Sequence, residues 1–332
     1  MVGRRVSAVL TRLDPLEERK TWLAWRRHGI GGSDIAGLAG LSRFATPTSI
    51  YLDKTGQLTD DDDNAAEHLL WGRLLEHPIG REFSFRTQLH LIGEQIAASN
   101  PAHTWERCTL DALLGESPTT NLDHALGVLE IKNVAAYGWD DVPDEYACQV
   151  LWQLAITELD VGYLAVLHGG RRLGVYTIER DERAIAALRT MAYEFWHYNV
   201  LAGVPPAVDG HRATTDALKD AYRELAVADT AVELDEDALA LRWLAAKAHA
   251  KASKAQLDAI ENELRTRLGT ATALTHNGDE LVTWKPQNTR ASFDLEGLER
   301  DYPVIAAKYR GEKGTTRVLR ATKALNERHN TA

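Results

Sequence analysis

The stretch GVLEIKNV, residues 127–134, is short, β-branched and apolar, the pattern of a buried strand, yet it carries Glu130 and Lys132 at its centre. Side chains alternate across a strand, so residues two apart share a face and these opposite charges project side by side. Upstream, RCTLDALL reads as another strand, and the polar segment GESPTTNLDHALG between the two makes them a hairpin. That pairing sets Asp111 beside Glu130 and Lys132, so two carboxylates and an ammonium converge at one end of a sheet. Hard divalent cations such as Mg²⁺ take oxygen ligands, typically a few carboxylates together with water and substrate phosphate. Such an ion lowers the pKa of a bound water and stabilises charge on a phosphodiester under attack. The lysine is placed to orient that water or to neutralise developing negative charge. The plain alternative is a structural ion pair on a half-buried strand.

Outward from this strand, Glu76 sits in the helical segment LLWGRLLEHPIGREF, within a helix expected over 65–85 with a kink or a second start at Pro78. In the helix opened by Pro143 and Asp144, Tyr146, Gln149 and Gln153 recur at i, i+3 and i+7 and form one polar stripe. For Gln149 a buried amide satisfied by backbone is the bland account. Near the start, RRHGIGGSDIAGLAGLS sets two glycines before Ser33, which is placed to cap a short helix, and a glycine-flanked helix start is an anion site. TPTSIYLDKTGQL reads as another short helix, and TDDDDN at 59–64 as an acidic surface turn. GYLAVLHGGRRLGVYTIERD reads as a strand pair about a Gly-Gly turn, and ERAIAALRTMAYEFWHYNVLAG as a helix closed by Gly203.

The composition changes at GVPPAVDGHRATTD, a linker that divides the chain into domains 1–210 and 211–332. Beyond it a long helix is expected over roughly 235–268, with Leu257, Ile260 and Leu264 at helical spacing, then a hairpin turning at Asn277-Gly278. Arg242, Lys247, Lys251 and Lys254 make a basic stripe on that helix, either a solvated face or a groove wall for phosphates. Lys308, Arg310, Lys313, Arg317, Arg320 and Lys323 raise the same question for the last thirty residues.

The chain has 332 residues, 44% hydrophobic and 26% charged, enough for a substantial core. Its apolar runs break well short of the roughly 18 residues of a membrane span, and the first residues lack an apolar signal core, so a soluble cytoplasmic protein is expected. Two cysteines, Cys108 and Cys148, exclude a disulfide framework, a four-thiolate zinc site and an iron–sulfur cluster, and read as small buried hydrophobes. A net charge of -10 taken alone disfavours nucleic acid. Yet residues 1–50 hold eight Lys/Arg against four Asp/Glu and residues 303–332 seven against two, so basic ends flank an acidic centre. That distribution suits phosphate contacts at the ends and metal-binding carboxylates between them.

Taken in order, R-x-x-G-I-G-G-S-D (Arg26 to Asp34), G-x-x-x-E (Gly72 to Glu76), T-L-D (Thr109 to Asp111), L-E-I-K (Leu129 to Lys132) and Y-x-x-Q (Tyr146 to Gln149) resemble the YqaJ-like viral recombinase family. That family belongs with the lambda-type exonucleases in the PD-(D/E)XK nuclease superfamily, and the resemblance spans roughly residues 20–210. It implies an α/β (α+β) fold with a restriction-endonuclease-like core, a central mixed sheet flanked by helices, followed by a helical C-terminal extension with a hairpin and a basic tail. It implies a Mg²⁺-dependent deoxyribonuclease, with Mn²⁺ able to substitute, typically a 5′-to-3′ exonuclease on linear duplex DNA ends in phage-type recombination. An endonuclease on the same fold and a non-catalytic DNA-binding protein stay open beside it. By the resemblance Asp111 and Glu130 are metal ligands, Lys132 is the catalytic lysine, Glu76 completes the metal shell or holds a ligating water, and Gln149 supports the nucleophile or the lysine. Tyr146 lines the pocket, and Arg26 or Arg27, with Ser33, grips a phosphate near the DNA end. The separation of Asp111 from Glu130 exceeds the family's usual spacing, which makes Asp123 in NLDHAL the competing ligand; Asp111 is preferred because RCTLDALL is a recognisable strand. A single-strand annealing protein and a homo-oligomer are the partners the resemblance brings with it, in a bacterial or phage-infected cell.

Overall fold

The parallel pair at the centre of the sheet explains why residues 127–131 of GVLEIKNV are buried on both faces. In the computed structural model, which describes residues 6–12, 19–58, 67–223, 231–234, 237–287, 294–310 and 319–331, this stretch is strand β4 (Gly127–Val134) of a six-stranded mixed sheet. The other strands are β1 (Val9–Arg12), β2 (His90–Ser99), β3 (Arg107–Gly115), β5 (Val161–His168) and β6 (Arg172–Glu179), and the spatial order follows the chain order. All neighbours are antiparallel except β4 and β5, which run parallel and are joined through helix α5 (Asp144–Thr157). A parallel pair needs such a crossover, and the helix covers one face.

Helices flank the sheet on both sides. On one, α4 (Glu67–Thr87) lays Ile79 and Phe83 against Ala112, Leu114, Leu129, Ile131 and Ala165. On the other, α5 packs Val150, Trp152 and Leu154 against Val128 and Leu113, in a larger core shared with the short helices α2 (Gly32–Leu38) and α3 (Pro47–Lys54) and with α6 (Glu182–Glu194). Helix α5 reaches the sheet closely because Gly162 has no side chain: a Cβ there would lie 2.3 Å from Val150 Cγ1. Pro78 starts no second helix, since α4 is continuous across it.

The hairpin of β3 and β4 is present, with Ala112 opposite Leu129 and the connection 116–126 between them. The paired strands about Gly169 and Gly170 are also present, both glycines in the left-handed region. Three elements ahead of β3 carried no expectation from the sequence: β1, β2 and helix α1 (Arg19–Arg27) lie in stretches read as polar leader or as part of the chain after the α4 segment. Helix α6 passes into a π-helix, Phe195–Leu201, before Gly203 closes it.

The chain divides into two compact units, Met1–Leu225 and Ala226–Ala332. Helix α7 (Arg212–Ala221), beyond the linker boundary at 210, packs on α3, and Thr214 Oγ1 lies 2.7 Å from Thr46 Oγ1. The second unit holds α8 (Ala238–Leu268), the hairpin β7 (Ala273–His276) and β8 (Asp279–Thr283) turning at Asn277-Gly278, then α9 (Leu295–Asp301), α10 (Pro303–Tyr309) and α11 (Lys323–Thr331). Leu257 and Ile260 of α8 are exposed, whereas Leu244 and Leu268 are buried, so helical spacing there marks no packed stripe. Lys313 and Arg317 of the tail and the acidic segment 59–64 lie outside the described residues. Among the described residues no helix is long and apolar enough to cross a membrane. Both cysteines are free, Cys108 buried and Cys148 half-buried.

Candidate active site

Alternation along β4 sends Glu130 and Lys132 to one face, and the antiparallel register brings Asp111 of β3 alongside. Glu130 is 2% exposed and is held by three donors. Its Oε1 accepts from Lys132 Nζ at 2.5 Å and from Gln149 Nε2 at 2.6 Å, and its Oε2 accepts from Gln153 Nε2 at 2.6 Å. Asp111 Oδ2 accepts from the Ile131 backbone N–H at 2.7 Å. Glu76 reaches the same cleft from α4, its Oε2 accepting from Gln95 Nε2 at 2.7 Å. The cleft has a volume of about 450 Å³, and Asp111, Glu130, Lys132, Glu76, Gln149 and Arg26 all line it.

The electrostatics follow from crowding three carboxylates around one ammonium. Burial and the neighbouring Glu130 charge push the Glu76 carboxyl up to about 7. Burial, then Glu130 and Glu76, push the Asp111 carboxyl well above the usual range. Burial works against the Lys132 ammonium, but Glu130 and Asp111 outweigh it and hold its pKa above the ordinary lysine value. A divalent cation relieves the same repulsion that these raised carboxyls report. Among the described residues no group of three or more His, Cys, Asp or Glu side chains is arranged to hold a metal ion by itself. Asp111 and Glu130 are hard oxygen donors of the kind a hydrated Mg²⁺ takes, one or two carboxylates together with substrate oxygens.

The glycine-rich segment is built differently from the sequence expectation. Ser33 does not cap α2; the cap is Gly31, whose N–H donates to Asp34 Oδ2 at 2.8 Å. Asp34 is buried and also meets Lys54 Nζ at 2.6 Å and Arg26 Nη2 at 3.1 Å. Burial alone raises a carboxyl, but Lys54 and Arg26 outweigh it and bring Asp34 down to about 2. Gly29 is required by close approach: a Cβ there would lie 2.2 Å from the Trp105 carbonyl oxygen. Through this contact Ile30 hydrogen bonds to Trp105 and Arg107, which ties the segment to the start of β3.

The remaining sequence candidates divide. Arg26 faces the cleft, with its guanidinium on Asp34 and on Ser33 Oγ at 3.4 Å, and Ser33 lines the same wall. Arg27 turns instead to Asp53, 3.6 Å away. Tyr146 stands behind the lysine, its ring centroid 5.7 Å from Lys132 Nζ and stacked on Trp139 at 5.1 Å. Asp123 is exposed on the turn Leu122–His124, in the connection 116–126, and is absent from the cleft wall. The sequence reading passed over Gln95, Lys54 and Trp22, whose indole N–H donates to Thr109 Oγ1 at 3.2 Å. It placed Gln153 on the polar stripe but gave it no role. That stripe was the available signal for Gln153; Gln95 lies in a strand that carried no expectation, and nothing local marks Lys54.

With the five motifs gathered on one cleft and its walls, the comparison with known proteins agrees. Residues 21–160 match the YqaJ-like viral recombinase domain. A Bacillus subtilis (strain 168) relative, printed as "Uncharacterized protein YqaJ", is 29% identical over 306 residues, 89% of this chain and 91% of its own length. Two crystal structures of an alkaline exonuclease from Laribacter hongkongensis, one in complex with dAMP, are similar at a TM-score of 0.44 and 18% identity, each covering 56% of this chain and 94% of the other.

Proposed function

We propose that this YqaJ-like chain is a Mg²⁺-dependent deoxyribonuclease that degrades linear duplex DNA from its ends in the 5′-to-3′ direction, with Mn²⁺ able to substitute. The observation that carries the reading is the set of Asp111, Glu130 and Lys132 on adjacent strands, facing Glu76 across one cleft. Asp111 and Glu130 are the residues that would hold the ion, with Glu76 acting through a water. When bound, the metal supplies a water of lowered pKa and charge stabilisation at the phosphodiester.

The chain's own residues do the rest. Gln149 and Gln153 fix the Glu130 carboxylate in one orientation, so its position does not have to be found in each turnover. Lys132, held between Glu130 and the Tyr146 ring, keeps its proton and is placed to orient the attacking water or to neutralise charge on the phosphate oxygens. Arg26 and Ser33, which line the same cleft, are the phosphate contacts in this reading. Single-stranded tails made in this way are the substrate of an annealing protein, which is the partner this reading implies, and a homo-oligomeric assembly goes with it.

The test is digestion of linear and covalently closed circular duplex DNA, side by side, with Mg²⁺, with EDTA and with Lys132→Ala. Loss of the linear form alone, dependent on metal and lysine, is expected. Lys132→Ala should lower the rate by about 10²- to 10³-fold, the scale for removing one preorganised charge-stabilising donor, in a protein that still folds but melts lower because Glu130 loses its charged donor. Nicking of the circle would replace the exonuclease with an endonuclease, and an active Lys132→Ala protein would remove the mechanism.

A further inference from the structure

A second cavity, of about 520 Å³, opens just before the strand that lines the cleft: Trp105 and Glu106 line it, and the next two residues, Arg107 and Cys108 of β3, line the first. A buried carboxylate paired with a partly exposed arginine lies in it. Glu106 is 2% exposed, and its Oε2 accepts from Asn100 Nδ2 at 2.8 Å and from Arg189 Nε at 3.2 Å. The walls are aromatic. Tyr193 meets Trp105 edge-on at 6.2 Å, stacks on His197 at 4.0 Å, and receives Tyr198 edge-on at 6.2 Å. Tyr193 and Tyr198 remain 46% and 63% exposed, so their rings are open to solvent.

The local backbone explains this cluster. In an α-helix each residue turns about 100°, so residues five apart are separated by roughly 140° and Tyr198 would point away from Tyr193. Here α6 gives way to the π-helix Phe195–Leu201, whose i→i+5 bonding widens the turn and brings the two tyrosines to one side. Such turns are rare, and they are frequently found at functional sites.

We propose that this cavity takes an unpaired nucleobase of a DNA strand whose phosphate lies in the adjacent cleft, a proposal that rests on the nuclease reading of that cleft. Aromatic walls stack on the face of any base. The partly exposed Arg189 offers a donor to a base edge, whereas Glu106 and Glu194 in the lining disfavour a phosphate, so the ring enters rather than the backbone. Glu106 and Asp111 are five residues apart on extended chain, roughly 17 Å at ~3.4 Å per residue. About five stacked nucleotides, at ~3.4 Å each, cover that distance.

The experiment is fluorescence anisotropy in EDTA on duplexes carrying a single-stranded overhang, with one nucleotide at a time replaced by an abasic unit, for the intact chain and for Tyr198→Ala and Tyr198→Phe. Digestion of the same duplexes in Mg²⁺ runs in parallel. Expected are a weakening of roughly 5- to 100-fold for Tyr198→Ala, and for one abasic position within about five nucleotides of the cleaved phosphate. Tyr198→Phe should keep wild-type affinity, and the abasic effect should vanish in Tyr198→Ala. A flat abasic scan, or wild-type affinity in Tyr198→Ala, from a protein that cleaves would overturn the cavity's role and leave the nuclease standing. A wild-type protein that neither binds nor cleaves DNA would overturn the nuclease reading and this inference with it.

Discussion

Gln153 illustrates how much one buried amide carries at the scale of a residue. It is fully buried, and its Nε2 donates to Glu130 Oε2 while also lying 3.4 Å from the Thr109 carbonyl. Replacing it with Ala leaves a buried carboxylate short of a donor, which costs about 1–3 kcal/mol. Urea unfolding of Gln153→Ala should show that loss, and a midpoint equal to wild type would mean that Glu130 finds another donor. Asp34 acts at the same scale through pH. Its pKa is depressed to about 2, so its contribution is complete above its ordinary value near 3.8 and is lost as pH falls through the folded value. The difference amounts to about 2 kcal/mol. Thermal melts from pH 5 down to pH 2 should therefore fall more steeply for wild type than for Asp34→Asn; parallel curves would show that the Lys54 pairing contributes nothing to this acid sensitivity.

Among the elements, the close fit of α5 on β5 positions the site, because α5 also delivers Gln149 and Gln153 to Glu130. Gly162→Ala places a methyl where only 2.3 Å separates it from Val150 Cγ1, and overpacking of this kind costs about 1–3 kcal/mol. A fall in melting temperature together with slower cleavage is expected, since the displaced helix carries the Glu130 donors. Adding Val150→Ala should restore part of both. If the double variant gains nothing, the strain lies elsewhere.

For the whole molecule, the question is whether the second unit tracks DNA. Along α8 the charges are matched at helical spacing, Lys254 with Asp258, Arg265 with Glu261 and Arg267 with Glu263, and Lys247 lies over the Trp243 ring. Such matching describes a solvated face. Arg242→Ala and Lys251→Ala should accordingly leave the dependence of DNA affinity on salt unchanged; a slope lower by about 0.9 per substitution would make them phosphate contacts.

Strand β4 and its E-x-K pair, the hairpin with β3, helices α4 and α5 and the closing hairpin at Asn277-Gly278 were all legible from the chain, because each rests on periodicity or turn chemistry among neighbours. By the same local rule Glu130 and Lys132 share a face. Tertiary structure decided the rest: Asp111 rather than Asp123 stands beside Glu130, Arg26 rather than Arg27 faces the cleft, and Gly31 rather than Ser33 caps α2. It also decided the pairing of Asp34 with Lys54, the reach of Gln95 to Glu76 and the gathering of Tyr193 and Tyr198 around a second cavity. Those outcomes depend on which distant segments pack together and on how a helix turn widens, and no short window of sequence encodes a partner that lies twenty or a hundred residues away.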